Sequence, residues 1–236
     1  MPTPIIFLSG LLCDHSIWRA QQDFFSEQYD VSVFCFPDIN CMEQMAKRVI
    51  HQLHAPSVII GHSMGACVAL EIIRQAPELV SKIALLDFGI HPQKALEAEK
   101  RYALLRAAEQ HGMVYLVEHW LKPMIYEGNR SNPQMFEPMK QMLLQQTAGS
   151  FEQQIQALLN RPNAEQVFRR IDVPLYLGVG RNDQWSTLEQ HESMCVLNPA
   201  AELHIYEHCG HMSPIEAADQ VNITLQHWLE RNPLQR

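Results

Sequence analysis

The 236-residue sequence predicts an α/β fold, a doubly wound and mostly parallel sheet with a helical segment inserted late in it. Three observations carry this expectation. Short apolar runs rich in β-branched residues alternate with longer stretches of helical spacing. Several of the runs are apolar on both faces, as strands covered by helices on each side must be. Between His91 and Asn163 the alternation stops and only helical patterns remain.

Taken in order, "PIIFLSG" (4–10) and "YDVSVFCFPD" (29–38) read as the first two strands, and "CMEQMAKRVIHQLH" (41–54) as a helix leading to the strand "PSVIIGHS" (56–63). The helix "GACVALEIIRQAPELV" (65–80) follows, then the strand "SKIALLDFG" (81–89). The segment 91–163 holds several helical patterns separated by Gly112, Pro123, the "EGNRSNP" loop and Gly149, with large apolar residues that would pack it onto the body. The alternation resumes with "VPLYLGVG" (173–180), the helix "TLEQHESMCVLN" (187–198), the strand "AELHIYEHCG" (201–210) and a closing helix "DQVNITLQHWLERN" (219–232). One body, 1–90 with 164–236, thus carries an insertion at 91–163.

Composition excludes several functions. Acidic residues outnumber basic ones, 26 to 18, and no dense Lys/Arg cluster is present, which argues against a nucleic-acid surface. No run approaches the ~18 apolar residues of a membrane span, and the N-terminus lacks the basic start and small-residue cleavage site of a signal peptide. Six cysteines without a C-x-x-C pair read as free thiols in a reducing cytoplasm.

The stretch "VIIGHSMGACVAL" raises the functional question. Gly61-His62-Ser63-Met64-Gly65 has the G-x-S-x-G spacing of a nucleophile elbow, in which a serine stands on a sharp turn between a strand and a helix. A serine hydroxyl is a weak nucleophile at neutral pH, so it needs a base within reach and a group that orients the base. His211, in the Gly-His turn after the last strand and at the carboxyl edge of the sheet, is the best of twelve histidines. For the acid, Asp183 in "GRNDQWS" is preferred over Asp87 in "LLDFG", because its loop leads to the strand beside the histidine. The oxyanion needs two backbone donors, assigned to the N–H of Met64 and of Leu11, the latter in the loop after the first strand. His62 is expected to pack or bond beneath the turn. A zinc site at His204, His208 and His211 is rejected, since residues four apart in a strand lie about 13 Å apart. No metal and no cofactor are expected.

The residues "SGLLCDHSIW", "GHSMG", "GRND" and "CGHMSPIE", in that order over nearly the whole chain, resemble the α/β-hydrolase superfamily, in its subgroup with a single helical cap. That subgroup holds esterases, carbon-carbon bond hydrolases and cofactor-free perhydrolases. The resemblance implies Ser63 as nucleophile, Asp183 as acid, His211 as base, Leu11 and Met64 as oxyanion donors, and a cap formed by 91–163. Two departures stand out. The chain starts at what would be the family's third strand, leaving a sheet edge exposed, and Ser9 stands before Gly10 where the family usually has histidine.

A serine at position 63 points to acyl transfer, hence to a serine hydrolase, carboxylesterase-like, cleaving a small to medium carboxylic ester or thioester. The alternatives are a carbon-carbon hydrolase or perhydrolase with the same triad, or a ligand-binding sensor that keeps the pocket. The pocket is expected around Leu12, His15, Trp120, Phe136 and Trp185. Arg101, Arg106, Lys122, Arg130 and Arg161 lie on separate elements, so no cationic cluster is expected in it and uncharged or singly charged esters are the anticipated substrates.

Overall fold

The computed structural model describes residues 3–90 and 96–231. Six strands, β1 (Pro4–Leu8), β2 (Asp30–Phe34), β3 (Ser57–His62), β4 (Val80–Leu86), β5 (Leu175–Gly180) and β6 (Ala201–Tyr206), form one sheet in the order β2-β1-β3-β4-β5-β6. Every pairing is parallel. The all-apolar runs sit inside: β3 and β5 are buried along their whole length, whereas β2 and β6, at the two edges, are only partly covered. The expected strands at 29–38 and 201–210 end early, at Phe34 and Tyr206, where the chain leaves the edges for loops.

The connection from β1 to β2 runs one way along the sheet, and those from β2 to β3 and onward run the other. Right-handed crossovers therefore place α1 (Arg19–Phe25) on one face and α2 (Met42–Ile50) and α3 (Met64–Gln75) on the other. The packing agrees, with α2 against α3 and α1 against the closing helix. The reversal lies between β1 and β3, and a crevice at their carboxyl ends is where ligands bind in open α/β sheets. Their following residues are the Ser9-Gly10-Leu11 loop and Ser63.

Between β4 and β5 the described chain is helical: α4 (Glu97–His111), α5 (Met113–Leu116), a π-helical turn (Val117–Leu121), α6 (Lys122–Met124), α7 (Pro133–Leu144), α8 (Ala148–Leu159) and α9 (Glu165–Arg169). The breaks have local causes. Gly112, with φ of 78°, ends α4. The Asn132 side chain caps α7 by accepting from Gln134 N at 3.1 Å, with Pro133 at its first position, and Thr147 caps α8 through Ser150 N at 3.0 Å. Pro123 does not separate two helices as its residue type suggested; the widened π turn before it admits a residue with no N–H to give. The insertion boundary expected at 91 lies outside the described residues. On the other side, α9 packs on α3 of the body. The chain closes with α10 (Leu188–Leu197) between β5 and β6, then the short α11 (Ser213–Glu216) and α12 (Ala218–Glu230) after β6; Asn232, expected to end that last helix, also lies outside the described residues.

Candidate active site

Ser63 occupies the step between β3 and α3 with φ of 52° and ψ of −113°, a conformation that non-glycine residues rarely adopt. Its N–H donates to Leu86 O at 2.9 Å, which ties the turn to the end of β4. The two glycines are demanded by space. A Cβ on Gly61 would lie 2.5 Å from Gly65 O, and one on Gly65 would run into the Leu8 carbonyl. Ser63 thus stands clear of the sheet at the N-terminus of a twelve-residue helix, whose first N–H groups have no partner within the helix.

His211 Nε2 lies 3.0 Å from Ser63 Oγ, and its Nδ1 lies 2.7 Å from Asp183 Oδ2. Asp183 is anchored in turn, its Oδ1 accepting from Trp185 N at 2.7 Å and Ser186 N at 3.1 Å. With the carboxylate accepting from Nδ1–H, the lone pair of Nε2 faces the serine hydroxyl. Burial works against the Asp183 carboxylate, but the His211 ring and the two backbone amides outweigh it and hold its pKa below the usual value. Burial also opposes the imidazolium of His211; the charge and hydrogen bond of Asp183 outweigh it and raise the pKa above the ordinary 6.5.

Asp87 does not compete for the histidine. Fully buried at the end of β4, it accepts from Gly180 N and Ser213 N, each at 3.1 Å. Burial, then the nearby Asp183 charge, push its pKa up to about 8, so it serves near neutrality mostly as an uncharged acceptor for two loops. His62 bonds beneath the turn: its Nε2–H donates to His211 O at 2.7 Å, and burial together with the neighbouring His211 charge drives its pKa down to about 3.

In the loop after β1, Leu12 N donates to Gln154 Oε1 at 2.7 Å, while Gln154 Nε2 donates to Phe36 O at 3.1 Å. The amide of Leu12 is thus taken; Leu11 lines the same cavity as Ser63 and Met64, and its N–H has no acceptor among the described residues. Ser9, the departure from the usual histidine, donates from Oγ to Asp14 O at 3.2 Å and so braces the loop from behind. Gln154 was missed by sequence reasoning. The available signal was a lone amide on the buried stripe of α8, between Phe151 and Ile155.

Glu216 was missed as well. Its Oε1 accepts from Gly210 N and Met212 N, both at 3.1 Å, and its Oε2 from Tyr126 N at 2.9 Å and Asn129 Nδ2 at 3.0 Å. It thereby clamps the residues on either side of His211 to the inserted segment. Burial raises its pKa.

A cavity of about 600 Å³ opens over Ser63 and His211. Trp120 and Trp185 line it as expected, edge to face with centroids 6.3 Å apart. Leu12, His15 and Phe136 do not line it. Leu12, with φ of 57°, turns its side chain into the core; His15 is exposed, with its Nδ1 3.6 Å from Cys35 Sγ; and Phe136, on α7, packs half-buried against the hydrophobic core. The expectation of scattered cations also fails. Packing of α4 on α8 brings Arg101 and Arg161 together on Glu97, and all three line the cavity. Among the described residues no three His, Cys, Asp or Glu side chains are grouped so as to hold a metal ion, and no helix is long and apolar enough to cross a membrane.

The family model of the alpha/beta hydrolases matches residues 5–222. A 2-hydroxy-6-oxononadienedioate/2-hydroxy-6-oxononatrienedioate hydrolase of Pseudomonas sp is 25% identical over 201 residues, covering 80% of this chain and 68% of the relative. An (E)-2-((N-methylformamido)methylene)succinate hydrolase of Acinetobacter baylyi is 23% identical, covering 98% of this chain and 91% of its own. Among solved structures, a thermophilic esterase from Thermogutta terrifontis with malate bound superposes with a TM-score of 0.87 at 22% identity, over 97% of this chain and 90% of that one. With a family model matched along nearly its entire length, the chain belongs to the alpha/beta hydrolase family.

Proposed function

We propose that the protein is a serine hydrolase that cleaves a small to medium carboxylic ester or thioester through an acyl-enzyme on Ser63. The observation that carries this reading is the unbroken hydrogen-bonded line Ser63–His211–Asp183, which opens into a cavity large enough for a small molecule. In this reading Ser63 Oγ attacks the carbonyl carbon as His211 Nε2 takes its proton. Asp183 holds the ring and stabilises the imidazolium, and the amides of Leu11 and Met64 receive the oxyanion. The imidazolium then protonates the leaving alcohol or thiol. Water, activated by the same histidine, releases the acid. The substrate is a small molecule, and six free cysteines support a cytoplasmic setting.

A second reading, hydrolysis of a carbon-carbon bond by the same three residues, is favoured by the name of the Pseudomonas relative above, a 2-hydroxy-6-oxononadienedioate hydrolase. A fluorophosphonate probe followed by a panel of chromogenic esters separates the two. Labelling at Ser63 with turnover of esters supports acyl transfer; labelling with no ester turned over favours the second reading; absence of labelling contradicts both.

A further inference from the structure

We propose that Arg101 and Arg161 form a carboxylate-binding subsite in the cavity, so that the substrate carries a free carboxylate a short chain away from the carbonyl attacked by Ser63. The proposal rests on the reading of Ser63 as nucleophile, and the subsite itself rests on geometry. Arg101 comes from α4 and Arg161 from the turn after α8, yet their guanidinium groups meet on one carboxylate. Arg101 Nε and Nη2 each lie 2.9 Å from Glu97 Oε1, and Arg161 Nη1 and Nη2 lie 3.0 Å from Oε1 and Oε2. Arg161 Nη1 also donates to Leu158 O at 2.6 Å.

All three side chains are largely withdrawn from solvent, at 21%, 17% and 16% exposure for Arg101, Arg161 and Glu97. Arginine keeps its charge in such a setting. Among the described residues these two cations face one anion and Lys100 lines the cavity as well, so positive charge is in excess on the wall of a cavity whose other walls, Leu104, Trp120, Phe151 and Leu158 among them, are mostly apolar. A clamp between α4 and α8 needs one arginine on Glu97; the second adds a desolvated charge that nothing in a neutral ligand would answer. Donors are available as well: among the described residues neither N–H of Arg101 Nη1 has an acceptor. Glu97 fixes the two planar forks in advance, which favours a planar, bidentate anion of single charge.

Placement relative to the nucleophile fits a small bifunctional molecule. Cys67 stands one helical turn after Ser63 on α3, a step of about 5–6 Å, and lines the same cavity, where its thiol feels the charges of both Arg161 and Arg101. Ser63, Cys67 and both arginines thus line one cavity of about 600 Å³, and Cys67 shares a second, smaller one with Arg161, an arrangement suited to a short diacid chain.

The test compares p-nitrophenyl hemiglutarate with p-nitrophenyl butyrate, and measures calorimetric binding of monomethyl glutarate, dimethyl glutarate and inorganic phosphate to the Ser63→Ala protein. The expected result is a preference for the hemiester in kcat/KM and binding of the monoanion in preference to the neutral diester. Arg101→Gln should lower that preference roughly ten- to a hundredfold, the scale of a lost charged hydrogen bond. If Arg101→Gln does not fold, Arg101→Lys, which keeps charge but loses the fork, decides, and the wild-type comparison needs no variant at all. Equal binding of monoester and diester, with equal turnover of the two chromogenic esters, would overturn the subsite while leaving the hydrolase reading intact; tighter binding of phosphate than of the monoester would overturn the carboxylate assignment. Preferential binding of the monoanion by a protein that neither labels at Ser63 nor turns over any ester would uphold the subsite and sink the hydrolase reading.

Discussion

The backbone N–H of His211 donates to Met124 O at 2.8 Å, so the candidate base is hung directly from the inserted helical segment. The position of the imidazole over Ser63 therefore depends on how that segment is seated, and Glu216 holds the seat through four N–H groups.

Glu216→Gln replaces one acceptor oxygen with an amide that can only donate toward two of those N–H groups. A loss of about 1–3 kcal/mol in unfolding free energy is expected, as for buried donors left without an acceptor. Turnover should fall while KM changes little, because the displaced group is the base and not the binding wall. Chemical denaturation and steady-state kinetics on one preparation check both parts.

Asp183→Asn should lower kcat by about 10⁴-fold, the scale for a triad whose histidine is left in the wrong tautomer. Asp87→Asn should cost far less, since Asp87 bonds backbone amides and is close to neutral already. Its folded pKa is raised, so the stability it contributes is complete below the unfolded value of 3.8 and is lost as pH rises through about 8. Thermal midpoints measured from pH 5 to 10 should decline for the wild type up to about pH 8 and level off above it, and should stay flatter throughout for Asp87→Asn.

The base acts unprotonated, and its pKa is raised. Activity in kcat/KM should therefore rise with pH through a midpoint above 6.5, reporting His211 in the free enzyme. A profile with its midpoint below 6.5 would mean that the Asp183 charge does not dominate the ring's surroundings.

Trp120→Ala enlarges the wall of the cavity and should shift the preferred acyl length upward on a series of chromogenic esters. Phe136→Ala, on a residue that packs away from the cavity, should leave the preference in place. Equal effects of the two would place the acyl pocket elsewhere.

Much of the site was legible because local chemistry specifies it. Gly61 and Gly65 around Ser63 mark a turn that only glycine spacing allows, and strand ends at Asp183 and His211 mark the edge where a doubly wound sheet gathers its loops. Contacts between distant helices left no such mark. Arg101 and Arg161 are sixty positions apart and meet only because α4 packs on α8; Glu216 acts mainly through backbone amides, which no residue pattern distinguishes, and Gln154 shows only as a lone amide on the buried stripe of α8. Leu12 and His15 follow Leu11 closely in sequence, but Leu12, with its positive φ, turns into the core and His15 lies exposed, away from the cavity.

An acyl group on Ser63 is detected most directly by rapid-quench mass spectrometry during turnover of an activated ester, with the peptide containing residues 58–70 mapped. A transient mass increase equal to the acyl group is expected on Ser63, absent in Ser63→Ala and strongly reduced in His211→Ala. Turnover at the full rate without any acylated Ser63, or with Ser63→Ala as active as the wild type, would contradict it.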